Sequence, residues 1–82
     1  MTMSPDQVGS REDLASFVRL LHRDCAEDGD AWENGDLAGF LEALAAWIDD
    51  AGGWYRNACR ELPADADWSF FARALRAATV YE

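Results

Sequence analysis

The chain contains no lysine: its seven basic residues are all arginine, set against sixteen aspartates and glutamates, for a net charge of −9. Duplex nucleic acid and anionic membrane are poor partners for such a chain, because both require a basic surface that displaces counterions. It has one histidine and no Cys-x-x-Cys pair, which leaves a structural zinc site short of ligands. β-branched residues are scarce and no stretch alternates usefully, so a sheet has little to build from. No apolar run approaches the length of a membrane span. The start, MTMSPDQVGS, has neither a basic opening nor an apolar core, so no signal peptide is expected and a cytoplasmic location is. In that compartment the two cysteines, Cys25 and Cys59, are expected as buried free thiols rather than a disulfide.

Half of the 82 residues are hydrophobic, with four Trp, four Phe and two Tyr. That supplies a core for one small domain and argues against disorder. Residues 1–9 are polar and read as a loose tail ahead of a domain over 10–82.

Three stretches carry a helical period. Ser10 is an N-cap for a helix over about 11–27, with Leu14, Phe17, Val18, Leu21 and Cys25 on one stripe and Gly29 as its C-cap. Asp36 is an N-cap for a second helix. Its stripe of Leu37, Phe40, Leu41, Leu44, Ile48 and Ala51 runs on through Tyr55, Cys59 and Leu62. The spacing predicts one long central helix over about 37–60, or two if Gly52 and Gly53 break it. Leu62, Pro63 and Ala64 end it. Asp67 then caps a third helix starting at Trp68, apolar almost all round, with Ser69, Arg73 and Arg76 as a narrow polar strip. The expected fold is all-α: a small three-helix bundle, four if the glycine pair breaks the second helix, wrapped around the long central one.

No catalytic, cofactor-binding or metal-ligating constellation stands out, and no enzymatic activity is expected. Asp24, Glu27, Asp28, Asp30, Glu33 and Asp36 form the densest acidic run. An EF-hand loop started at Asp30 would place Trp32 and Leu41 where calcium needs oxygen ligands, so the run reads as a solvated connector. Glu42, Asp49, Arg56 and Arg60 fall on an outer helix face, where no pocket would shift a pKa.

The aromatic residues exceed what a minimal core requires, and aromatic residues anchor protein interfaces. The leading expectation is a non-enzymatic protein-interaction module. Its acidic face is Glu27, Asp28, Asp30, Glu33 and Asp36 with Asp49 and Asp50, and its apolar anchors are Trp32, Trp54, Phe70 and Tyr81. Its partner would be a protein with a basic surface, as for an inhibitor or immunity-type protein masking a toxin. The alternative is a homodimer with a seam along the third helix. A small-molecule or metal-dependent enzyme stands last.

Trp32-Glu33-Asn34, Phe40-Leu41-Glu42-Ala43, Ala46-Trp47, Tyr55-Arg56-Asn57, Trp68, Phe71-Ala72 and the closing Val80-Tyr81-Glu82 resemble a family of small uncharacterised bacterial proteins, a domain of unknown function, over about residues 10–82. Gly53-Trp54-Tyr55 stands where Gly-Tyr-Tyr is expected. Gly39 replaces the acidic residue that would complete a capping box with Asp36. The resemblance implies a bacterial, cytoplasmic, single-domain protein and no particular activity.

Overall fold

The computed structural model describes residues 3–63, 65 and 67–81. Ala64 and Glu82, on which parts of the sequence reading fall, lie outside them. The described residues are all-helical: α1 is Arg11–Asp28, α2 is Leu37–Asn57 and α3 is Trp68–Ala78, with 3-10 turns at Pro5–Gln7 and Gly29–Ala31.

Each helix starts at the cap its sequence supplies. Ser10 Oγ accepts from Asp13 N at 3.0 Å, and Asp36 Oδ1 and Asp67 Oδ1 accept from Gly39 N and Phe70 N, both at 2.6 Å. These bonds satisfy amide donors that no preceding carbonyl can reach.

α2 runs unbroken through Gly52 and Gly53. The two glycines weaken it by about 1 kcal/mol each relative to alanine. Ala51 and Tyr55, one and two residues outside the pair, are both buried against α3's cluster and hold the turn from either side. The helix stops at Asn57, short of the expected 60, and Pro63 is not what stops it. Cys59 takes a left-handed φ of 57°. Cys59 N donates to Arg56 O at 3.0 Å and Arg60 N donates to Tyr55 O at 2.8 Å, the paired bonds of a Schellman ending.

The helix at the centre is α3, not α2. Both α1 and α2 pack on α3, and so does the Pro5–Gln7 turn, while α1 and α2 scarcely meet. Ala72 is buried on one side of α3, in the cluster with Phe17, and Ala74 and Ala78, four residues apart, are buried on another, so small side chains let the neighbours approach closely. This accounts for a helix apolar almost all round: it is covered from several directions. Two clusters form the core. Val8, Phe17, Leu21 and Ala72 lie on the α1 side, and Trp47, Ala51, Tyr55 and Ala74 on the α2 side.

Two sequence expectations are therefore corrected. α2 buries Ala43, Trp47, Ala51 and Tyr55, whereas Leu37, Leu41 and Ile48 of the expected stripe are 74%, 53% and 46% exposed. The apolar arc is wider than one contact face, and α3 takes the edge that carries Trp47. Residues 3–9 do not form a loose tail. Val8 is buried, Met3 packs beside it, and Ser69 Oγ donates to Pro5 O at 2.8 Å. Ser69 and Arg73 of the α3 polar strip are thus covered by the N-terminal segment, with Arg73 buried beneath it, while Arg76 stays exposed.

The α2 ending generates two stability predictions. A Cβ at Gly52 would meet only Arg56 Nη1, at an ordinary 3.7 Å. Gly52→Ala is expected to stabilise the fold by about 0.5–1 kcal/mol, and Cys59→Gly by about 1 kcal/mol through relief of the left-handed conformation. Urea denaturation with tryptophan fluorescence checks both; a lowered midpoint for either contradicts the assignment at that position.

Candidate functional site

The connector between α1 and α2 is built by two side chains. Trp32 Nε1 donates to Asp24 Oδ2 at 2.7 Å, and its ring stacks on Phe40 with centroids 6.0 Å apart. Asn34 reaches the far end of α3, where its N donates to Thr79 O at 3.1 Å and its Nδ2 donates to Ala78 O at 3.0 Å and Tyr81 O at 2.7 Å. Carbonyls at a helix C-terminus lack intrahelical partners, and Asn34 supplies them. Glu27, Asp28, Asp30, Glu33 and Asp36 all remain exposed around this connector.

Because α1 and α2 are splayed on α3, an apolar groove of about 380 Å³ lies between them, lined by Val18, Leu21, Cys25, Leu37, Phe40 and Leu75, with Trp32 and Asp36 at the connector end and His22 on α1. Exposed apolar side chains continue beyond it. Leu41 and Ile48 extend the α2 edge and Phe71, 48% exposed, extends that of α3. The spacing of Leu37, Leu41, Leu44 and Ile48 repeats every three or four residues, so these side chains share one side of the helix.

The aromatic residues expected as anchors divide between two regions. Trp32 is half-buried on the α1 side. Trp54, Phe70 and Tyr81 are brought together on the α2 side, where Phe70 packs between Trp47, at 5.9 Å, and Tyr55, at 6.1 Å. The Tyr81 hydroxyl donates to Asp50, which brings those two candidates into contact, and this bond holds the phenol above its ordinary value of 10.0. Asp49 is exposed and has no ion-pair partner among the described residues.

A second cavity, of about 390 Å³, lies between α2 and α3. Arg73 is one of its walls. Its guanidinium lies over the Trp54 ring at 4.6 Å, its Nη1 donates to Tyr55 Oη at 2.9 Å, and its Nη2 donates to Asp6 Oδ1. Arg60 Nη2 reaches the same Asp6 oxygen at 2.9 Å. Trp47, Trp54, Arg76, Thr79 and Val80 complete the lining.

The model of a family of unknown function, DUF7660, matches residues 10–82. The chain belongs to the DUF7660 family. No curated protein and no solved structure matches it. In this DUF7660 chain, Asn34 and Trp32, on which the resemblance partly rests, hold the connector and the end of α3 together.

Among the described residues no three or more His, Cys, Asp or Glu converge as a metal would require, and no helix is long and apolar enough to cross a membrane. Cys25 and Cys59 are both free; Cys25 is half-buried and Cys59 is exposed, so the expected pair of buried thiols does not form.

Sequence reasoning missed both cavities. Val18, Leu37, Leu41 and Phe71 look like core residues on a helical stripe, and only the excess width of the α2 apolar arc signalled a second face. Nothing local marked Asp6 as the partner of Arg60 and Arg73, because more than fifty residues separate it from each.

The Arg60 hydrogen bond, joined by the Arg73 and Arg60 charges, holds the Asp6 carboxyl below its ordinary value of 3.8 despite the opposing desolvation of the carboxylate. A lowered folded value means a stabilising contribution that is present above that ordinary value and is lost as pH falls through the folded one. Asp6→Asn is therefore expected to cost about 0.5–1 kcal/mol at neutral pH, the range for a partly exposed pair. The gap to the parent chain should narrow below about pH 4. Denaturant titrations of both proteins from pH 7 to pH 2.5 measure this; a gap that widens on acidification contradicts it.

Proposed function

We propose that this chain is a non-enzymatic protein-interaction module that masks a basic partner, and that the groove between α1 and α2 is where the partner docks. The observation that carries the reading is the run of exposed apolar side chains along that groove, chiefly Val18, Leu37, Leu41 and Phe71, in a chain of only 82 residues. A contiguous exposed apolar patch is costly for a small protein and marks interaction surfaces. Each such side chain contributes about 1.5–3 kcal/mol if a partner buries it fully.

Charge selects the partner's class. Asp36 lines the connector end of the groove, Glu27, Asp28 and Asp30 are exposed at the end of α1 and in the connector that leads to it, and the chain carries −9. A basic amphipathic helix, apolar on one side and rich in Lys or Arg on the other, satisfies both features. The alternative of two copies meeting face to face would bring two such charges together, which opposes a symmetric seam. An inhibitor or immunity-type role is one form this masking would take.

Val18→Gln with Leu37→Gln removes apolar surface at exposed positions and keeps good helix formers. Affinity capture with the parent chain is expected to retain a basic protein that is lost both with the double variant and at high salt. Capture of nothing, or equal capture by the double variant, contradicts the reading. A dimer by sedimentation that the double variant abolishes assigns the groove to self-association instead.

A further inference from the structure

The cavity between α2 and α3 has a charge opposite to that of the whole chain. Three of the seven arginines, Arg60, Arg73 and Arg76, line it, and Asp6 is the only acidic residue among the lining side chains. Three cations against one anion leave two positive charges uncompensated there, in a protein of net charge −9. Arg76 is exposed and has no ion-pair partner among the described residues.

The cluster already demonstrates which group it takes. Arg60 and Arg73 converge on one oxygen of the Asp6 carboxylate. Guanidinium groups present several donors in a plane and favour carboxylates for that reason. Arg73 is pre-set for this work: Tyr55 and the Trp54 ring fix its orientation, and its side chain is only 8% exposed. The remaining walls are apolar. Trp47, Trp54, Ala77 and Val80 line the cavity, with Trp54 37% and Val80 55% exposed. A neighbouring cleft shares these four residues and carries Glu33 and Tyr81 further along. A negative group is thus repelled at the Glu33 end and attracted at the arginine end. The volume of about 390 Å³ falls within the range of small-molecule sites.

We propose that this cavity binds a small organic carboxylate with a flat apolar body. Arg76 and the outward edges of Arg73 and Arg60 hold the charge beside Asp6, and the tryptophan walls cover the ring. The site is separate from the α1–α2 groove and stands without the docking proposal.

The probe is 2-naphthoate, followed by two-dimensional ¹H–¹⁵N spectra that resolve the indole and guanidine N–H groups. Saturable shifts are expected at Trp54 and Arg73, with naphthalene-2-methanol and inorganic phosphate each about tenfold weaker or worse, since each lacks half of the recognised chemistry. Arg76→Gln, at an exposed position that leaves the fold intact, should weaken 2-naphthoate about tenfold. Asp6→Asn, which releases two guanidiniums, should tighten it. Absence of saturable shifts, equal binding of the neutral alcohol, equal binding of phosphate, or an unchanged affinity in Arg76→Gln each overturns the proposal.

Discussion

A single buried guanidinium ties three separate parts of the chain together. Arg73 stands on α3, donates to Tyr55 of α2 and to Asp6 of the N-terminal segment, and covers the Trp54 ring. A buried cation is tolerated only where hydrogen bonds and opposite charge compensate its desolvation. That requirement brings residues 3–9 down onto α3 and fixes how α2 lies against it. With those contacts in place Val8 enters the core beside Phe17 and Ala72.

The alanines of α3 have an equally direct consequence. Ala72 on one side, and Ala74 and Ala78 on another, allow neighbours on two sides of one short helix. α1 and α2 therefore use α3 as their common support and stay apart from each other, which opens the apolar groove. An arrangement centred on α2 would have closed it by burying Leu37 and Leu41. The groove and the arginine cavity thus lie on opposite sides of the same central helix: Leu75 lines one, and Arg73, Arg76 and Ala77 line the other.

Local features of this fold were legible in the sequence. Ser10, Asp36 and Asp67 each cap the helix they precede, since a short acceptor side chain before an apolar period has one structural use. The all-helical class and the family followed from period and motif. What the sequence left ambiguous was tertiary. Period alone gives an apolar arc but not which edge of it a partner helix takes, so Leu37 and Ile48 were placed inside and Arg73 outside. The polar look of residues 3–9 concealed the anchoring of Val8 and Asp6, because their partners are remote in sequence. The left-handed Cys59 ends α2 where a glycine would ordinarily announce it. Of the candidate site, Glu27, Asp28, Asp30, Glu33 and Asp36 are exposed, in keeping with their polarity, whereas Asp24 is half-buried under Trp32, and Trp32 and Phe70 pack inward against Phe40 and Trp47.

The central claim is that α3 is the support and that the α1–α2 groove stands open in the isolated chain. Solvent paramagnetic relaxation of side-chain methyl groups, measured on a dilute sample verified as monomeric, tests this most directly. Strong relaxation at Val18, Leu37, Leu41 and Ile48, with protection at Ala72 and Ala78, is the predicted pattern. Protection of the Leu37, Leu41 and Ile48 methyls in the monomer would show that α2 buries its other edge, and would contradict the account.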